Sequence, residues 1–214
     1  MLSMVFIMIP RAQASAIRIN EVLEMEPEIL DPKVAILADK ESGYVEFKDV
    51  SFHYPDADTE VITDISFTAK PGETTALIGS TGSGKSTIVN LIPRFYDVTG
   101  GELLVDGVNV KDVSQKELRK RIGFVPQKGI LFSGTIASNL KFGKERANEK
   151  DMIQAAKTAQ ALEFINEKPD AFKTEIAQGG TNVSGGQKQR LSIARALIKK
   201  PNIFIFDDTF SALD

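Results

Sequence analysis

The sequence predicts an α/β domain with a largely parallel sheet core and an added antiparallel β part. Three observations carry this. Strand-like and helix-like patterns alternate from about residue 44 onward. A glycine-rich turn, GSTGSGKST (79–87), follows an apolar run and opens a helix. The last apolar run, NIFIFD (202–207), ends in an acid, and Asp208 doubles it.

In chain order, MLSMVFIMIP (1–10) is almost wholly apolar. A membrane-crossing helix needs about 20 such residues, and no basic segment precedes the run as a signal peptide would require. A buried helix or loose end and the tail of a membrane helix both remain open on composition. RAQASAIRINEVLEM (11–25) has helical spacing, ended by Pro27 and Pro32. Residues 27–42 read as an exposed linker, with the domain boundary near Ser42. YVEFKDVSF (44–52) and VITDISFTA (61–69) alternate as half-buried strands around a DAD turn (56–58). TTALIG (74–79) reads as a short buried strand, and 85–95 as a helix. GELLVDGVNV (101–110) reads as a hairpin turning at Asp106-Gly107. A short helix (114–121), a strand (122–126), helices at 135–141 and 149–168, a basic amphipathic helix (187–199) and a buried strand (202–207) complete the pattern.

Composition narrows the function. With 214 residues, 42% hydrophobic and 26% charged, the chain suits one globular domain with a real core. A net charge of −3 gives no bulk attraction for a polyanion, so no nucleic-acid partner is implied. The absence of cysteine excludes disulfides and thiolate metal sites. His53 is the single histidine, which excludes a multi-histidine centre.

The turn at 79–87 matches G-x-x-x-x-G-K-[ST] through Gly79, Gly84, Lys85 and Ser86. Glycines let the backbone curl until its N–H groups converge on phosphate oxygens. Lys85 would neutralise the β/γ oxygens and Ser86 would offer its hydroxyl to Mg²⁺. The candidate ATP contacts are Gly79, Ser80, Thr81, Gly82, Ser83, Gly84, Lys85, Ser86 and Thr87. Asp207 arrives at the C-terminal edge of a sheet, where ligands of such sheets bind. A carboxylate there is expensive unless paired or metal-bound, so Asp207 reads as a Mg²⁺ acid or, more plainly, as a turn residue.

NVSGGQKQRLSIARALIKKPNIFIFDD (182–208) adds a second glycine turn. Ser184, Gly185 and Gly186 precede a helix beginning near Gln187, making a second anion-binding helix start. Two such sites in one domain suggest a nucleotide clamped between two copies. VSGGQKQR, the basic helix and the acidic strand resemble the signature segment of ABC-type ATPases. Tyr44 to Asp214 as a whole resembles their nucleotide-binding domain, a P-loop NTPase with an antiparallel β subdomain and a helical subdomain.

The resemblance implies a head-to-tail dimer in which Val183, Ser184, Gly185, Gly186 and Gln187 close on the partner's ATP. It implies that Gln127 in GFVPQ senses Mg²⁺ and the γ-phosphate, and that Tyr54 stacks on adenine. Ser86, Gln127 and Asp207 are then the metal residues; Lys85, Gln127 and Asp208 are the catalytic ones. SALD (211–214) resembles the loop through which the two domains sense each other. In TEIAQGG (174–180), Gln178 and Gly179 replace a usual Glu-Arg pair, which puts that loop's cross-talk in doubt.

IPRAQASAIRINEVLEMEPEI (9–29) resembles the end of the last transmembrane helix and the linker of exporter half-transporters. KGILFSGTIASNLKFG (128–143) resembles the exporter segment that lies against the membrane domain. The organisation implied is 1–26 for the helix end and its extension, 27–42 for the linker, and 43–214 for the nucleotide-binding domain. A membrane location with that domain on the cytoplasmic side follows, together with an upstream transmembrane domain. Alternatives are a stand-alone importer ATPase subunit or a nucleic-acid-repair ATPase. In this family a histidine follows SALD by a few tens of residues, so the sequence is expected to be a fragment, weakly active and poorly soluble alone.

Asp208 stands where the resemblance places a catalytic glutamate. It is one methylene short, roughly 1.5 Å, and displacements of about 1 Å can cost on the order of 100-fold. Either the backbone compensates, or the site is degenerate. Heterodimeric exporters that this chain resembles often pair such an aspartate subunit with a glutamate subunit, so a heterodimer is expected.

Overall fold

The computed structural model describes residues 2–36, 42–55, 57 and 59–210. The acids of the DAD turn and the SALD segment lie outside those residues. Two compact units emerge, residues 1–30 and 31–214.

The first unit is helix α1 (Leu2–Leu23), which runs through Pro10. Its described side chains are exposed. No described helix is long and apolar enough to cross a membrane.

The second unit starts with segment 31–36 laid on the body. The Ile36 amide donates to the Asp112 carbonyl at 2.8 Å, and the Gln115 amide donates to the Asp31 carboxylate at 2.8 Å. Strands β1 (Val45–Phe52) and β2 (Ile62–Ala69) pair antiparallel. After helix α2 (Lys85–Leu91) come β3 (Gly100–Val105) and β4 (Val108–Asn109), giving the antiparallel order β2-β1-β3-β4. Asp106 and Gly107 both have positive φ, +53° and +79°. A two-residue hairpin loop that follows the strand twist needs that geometry. Helix α3 (Gln115–Lys120) is capped by Ser114 and leads into β5 (Ile122–Val125).

Next come β6 (Gly134–Thr135), α4 (Ile136–Lys141), α5 (Glu149–Thr158) and α6 (Leu162–Asn166). The predicted helix 149–168 breaks at Gln160, whose φ is +54°. Strand β7 (Glu175–Ile176) pairs with β6. Helix α7 (Gly185–Leu197) starts two residues earlier than Gln187, because Ser184 and Gln187 form a reciprocal capping box. Strand β8 (Ile203–Phe206) pairs parallel with β5, Ile122 opposite Ile203 through Val125 opposite Phe206.

The described residues form two hydrophobic cores. One gathers the antiparallel sheet with α2, α3 and the Ile122, Ile203 and Ile205 side of the parallel pair. The other gathers α4 to α7 with Val125 and Leu131. The β5–β8 ladder thus contributes to both cores and ends at the predicted site.

Two expectations fail. TTALIG (74–79) forms no strand, and Ile78 is 95% exposed. Its residues favour a strand, yet a strand needs a ladder partner, and among the described residues none pairs with it. Strand β8 is half-buried, not buried on both faces: Ile203 and Ile205 point inward, while Phe204 and Phe206 lie exposed, stacked 6.1 Å apart.

Asp106 locks the hairpin to the start of the body. Its Oδ1 accepts from the amides of Ser42, Gly43 and Tyr44 and from the Ser42 hydroxyl, at 2.8–3.1 Å. Its Oδ2 meets the Arg121 guanidinium at 3.3 Å, both side chains being nearly fully buried. Burial opposes the charge, but the hydrogen bonds from Tyr44, Ser42 and Gly43 outweigh it and hold the carboxyl below its ordinary value. Asp106→Ala removes a carboxylate that pairs with a buried guanidinium and accepts from three amides and a hydroxyl, and should cost about 3–5 kcal/mol in urea denaturation. A depressed folded pKa stabilises fully above the ordinary value of 3.8, so the wild-type advantage should hold there and shrink as pH falls further.

Candidate functional site

The phosphate loop curls as its glycines allow. Gly82 and Gly84 have φ of +83° and +84°. A Cβ on Gly79 would stand 2.5 Å from Ser83 Oγ. The curl brings carbonyls inward, and Lys85 Nζ donates to those of Gly79 (2.8 Å) and Ser80 (2.7 Å). Ser80, Thr81, Gly82 and Ser83 are exposed, while Thr87 is buried. An ammonium group held by neutral carbonyls at the mouth of an exposed loop fits a phosphate, which is a stronger acceptor for it.

The strand tip closes the site from the other side. The Asp207 amide donates to the Val125 carbonyl at 3.0 Å, extending the β5–β8 register by one residue. Buried Thr209 anchors the turn through its hydroxyl, 3.1 Å from the same carbonyl. Between them Asp208 adopts φ +44°, a left-handed conformation uncommon for a non-glycine residue. The two carboxylates consequently diverge. Asp207 Oδ1 accepts from Ser86 Oγ at 2.8 Å. Asp208 Oδ2 accepts from Gln127 Nε2 at 3.0 Å. A hydroxyl and a carboxylate brought together at a phosphate loop are hard oxygen donors of the kind Mg²⁺ uses.

The structure therefore joins Ser86, Asp207, Asp208 and Gln127 from three distant segments. Tyr54 also reaches this region. Its hydroxyl lies 3.1 Å from Thr87 Oγ1, and its ring stands edge-on to Phe52 and Tyr96 at 4.9 and 5.2 Å. His53 Nδ1 lies 3.1 Å from the Tyr54 carbonyl.

Val183, Ser184, Gly185, Gly186 and Gln187 stand apart from this cluster. No hydrogen bond links them to the phosphate loop among the described residues. Ser184 and Gly185 are exposed, and the Ser184 hydroxyl caps α7 by accepting the Gln187 amide at 3.2 Å. Gln178 and Gly179 lie in a 3₁₀ turn with Gly179 at φ +66°.

Sequence reasoning missed Gln189. It is 2% exposed, with Nε2 on the Pro126 carbonyl at 3.2 Å. The signal was there: helical period places it on the buried stripe with Ile193 and Ala196, where a polar side chain requires a partner.

The family model described as ABC transporter matches residues 62–211. An uncharacterized ABC transporter ATP-binding protein of Bacillus subtilis (strain 168) is 50% identical over 95% of this chain and 35% of its own length. An ATP-dependent lipid A-core flippase of Syntrophus aciditrophicus (strain SB) is 43% identical over 94% of this chain and 33% of its own. The structure of a bacterial Atm1-family ABC exporter with ATP bound superimposes with a TM-score of 0.90 at 36% identity, covering 100% of this chain and 37% of that one. The chain thus spans about a third of the length of these relatives.

Lys85→Ala removes the one ammonium group that the loop holds. ATP affinity measured by equilibrium binding should fall about 10- to 100-fold, the size of a lost charge-assisted hydrogen bond.

Proposed function

The chain belongs to the ABC transporter family, and from that premise we propose that it is the ATP-binding and ATP-hydrolysing portion of a membrane exporter. The observation that carries the reading is the junction of the phosphate loop and the strand tip, with Ser86 on Asp207 at 2.8 Å and Gln127 on Asp208 at 3.0 Å. ATP hydrolysis is the general chemistry of the family. Export is favoured over import or nucleic-acid repair by the flippase and the exporter that the chain resembles along nearly its whole length. The cargo class in this reading is lipid-, drug- or peptide-like, the first in keeping with the lipid A-core flippase.

In this reading residues 1–26 are the end of the last transmembrane helix and its extension, 27–42 the linker and 43–214 the nucleotide-binding domain. The membrane-spanning part lies upstream and the nucleotide-binding domain faces the cytoplasm. A cleft of about 230 Å³ between the two cores, lined by Pro93, Phe95, Phe124, Phe142, Arg195 and Lys199, suits a contact from the membrane domain.

Ser86, Asp207 and Gln127 are the residues that would hold Mg²⁺, which when bound neutralises the phosphate oxygens. Lys85 exchanges its loop carbonyls for the β/γ oxygens. Tyr54, beside Thr87, supports the adenine. Val183 to Gln187, with Ser184 and Gly185 exposed at the start of α7 and without a hydrogen bond to this chain's own loop among the described residues, serve the nucleotide of a second copy or partner docked head to tail.

Asp208 sets the rate. Its side chain is one methylene shorter than glutamate, and one of its oxygens is engaged by Gln127. The shorter reach weakens its grip on an attacking water, while Gln127 fixes the orientation of the carboxylate. We therefore assign this chain the slow site of a heterodimer, its partner bearing glutamate. In the full-length assembly, Asp208→Glu should raise single-turnover hydrolysis at this site by about one to two orders of magnitude. An unchanged rate would remove the reach argument.

A further inference from the structure

Gln189 lies outside the predicted site, yet it holds the segment that carries Gln127. Three contacts staple residues 126–130 to α7. Gln189 donates to the Pro126 carbonyl at 3.2 Å. Gly129 passes so close that an added Cβ would stand 2.9 Å from the Lys188 carbonyl oxygen and 3.0 Å from Gln189 Oε1. Two turns along the helix, the Arg195 guanidinium donates to the Ile130 carbonyl and sits 5.7 Å over the Phe132 ring. The loop is thus fixed to α7 on both sides of its glycine. Its first side chain, Gln127, reaches the other way to Asp208 at 3.0 Å.

Gln189 is the buried member of this line. A buried amide is retained at a core position only with its hydrogen bonds made. Pro126 presents a carbonyl and no N–H, so the pairing has one sense, Gln189 donating. The first turn of the same helix bears Ser184 and Gln187 at its exposed start. A displacement of α7 must therefore reach Gln127, because helix and loop share a close-packed contact with no slack at Gly129.

We propose that Gln189 is a positioning residue that sets Gln127 against Asp208, and so carries the position of the signature helix to the acid of this chain's own site. The inference rests on the reading above, in which α7 closes on a partner's nucleotide. Occupancy of the partner's site would then be felt at this chain's Asp208 through Gln189, Pro126 and Gln127.

The test compares nucleotide-free structures of the full-length protein, and kcat and KM at this chain's own site from single-turnover kinetics of the full assembly, with those of Gln189→Met, which keeps the volume and removes the donor. The account expects the Gln127–Asp208 distance to open beyond about 3.5 Å with α7 in place. It expects kcat to fall about tenfold while KM for ATP stays within about twofold, as for one lost positioning hydrogen bond. Gly129→Ala, which leaves Gln189 intact and pushes the loop off α7, should reproduce both effects. Gln189→Glu adds a pH signature: only the protonated acid donates, so its kcat should approach wild type at low pH and fall to the Met level as the carboxyl ionises. An unmoved Gln127, a KM and kcat that worsen together, or a Glu variant whose pH profile parallels wild type would each overturn the proposal. Failure of the wild-type protein to bind or turn over ATP would instead remove the functional reading, and the structural comparison would still decide the role of Gln189.

Discussion

A hydrogen bond between residues 121 positions apart, Ser86 to Asp207 at 2.8 Å, is the constraint around which the site is arranged. It can form only if the start of α2 and the end of β8 meet. The antiparallel sheet and α2 share one core, and that core also takes Ile203 and Ile205 of β8. Packing of those isoleucines fixes the strand, and the β5–β8 register fixes where it ends. The carboxylate at the tip is then held by a hydroxyl instead of standing alone, which is how an acid at the end of an apolar strand avoids the cost of desolvation.

The second core sits on the other side of this boundary. It supports α7, whose capped start is exposed while its middle is buried. The loop after β5 crosses between the two cores. Gln127 heads it, and Gln189, Gly129 and Arg195 tie it to α7. The left-handed turn at Asp208 completes the design by sending adjacent carboxylates to different partners. Asp207 belongs with the phosphate loop; Asp208 belongs with the loop that follows the helical core.

Much of this was legible in the sequence. The hairpin turn at Asp106-Gly107, the strand ends at Phe52 and Ala69 and the short helix read at 114–121 each follow from local chemistry that overrides little else. The phosphate loop was legible because its glycines and lysine have few other uses together. Legibility failed where the outcome depends on distant neighbours. TTALIG has strand chemistry but finds no ladder partner among the described residues, and β8 reads as fully buried although Phe204 and Phe206 face outward. The Gln127–Asp208 contact could not be read at all, because it depends on the turn conformation at Asp208 and on a loop 81 positions away in the chain. Gln189 was legible in principle, as a polar residue on a buried stripe, but its partner Pro126 was not.

The central claim is that the phosphate loop and the strand tip make one metal-dependent nucleotide site through Ser86 and Asp207. The most direct measurement is ATP affinity with and without Mg²⁺, in the wild-type protein and in Asp207→Asn. The account predicts that Mg²⁺ strengthens ATP binding in wild type, and that the variant binds ATP with nearly equal affinity whether or not Mg²⁺ is present. A variant that keeps the full Mg²⁺ dependence of the wild type would contradict it.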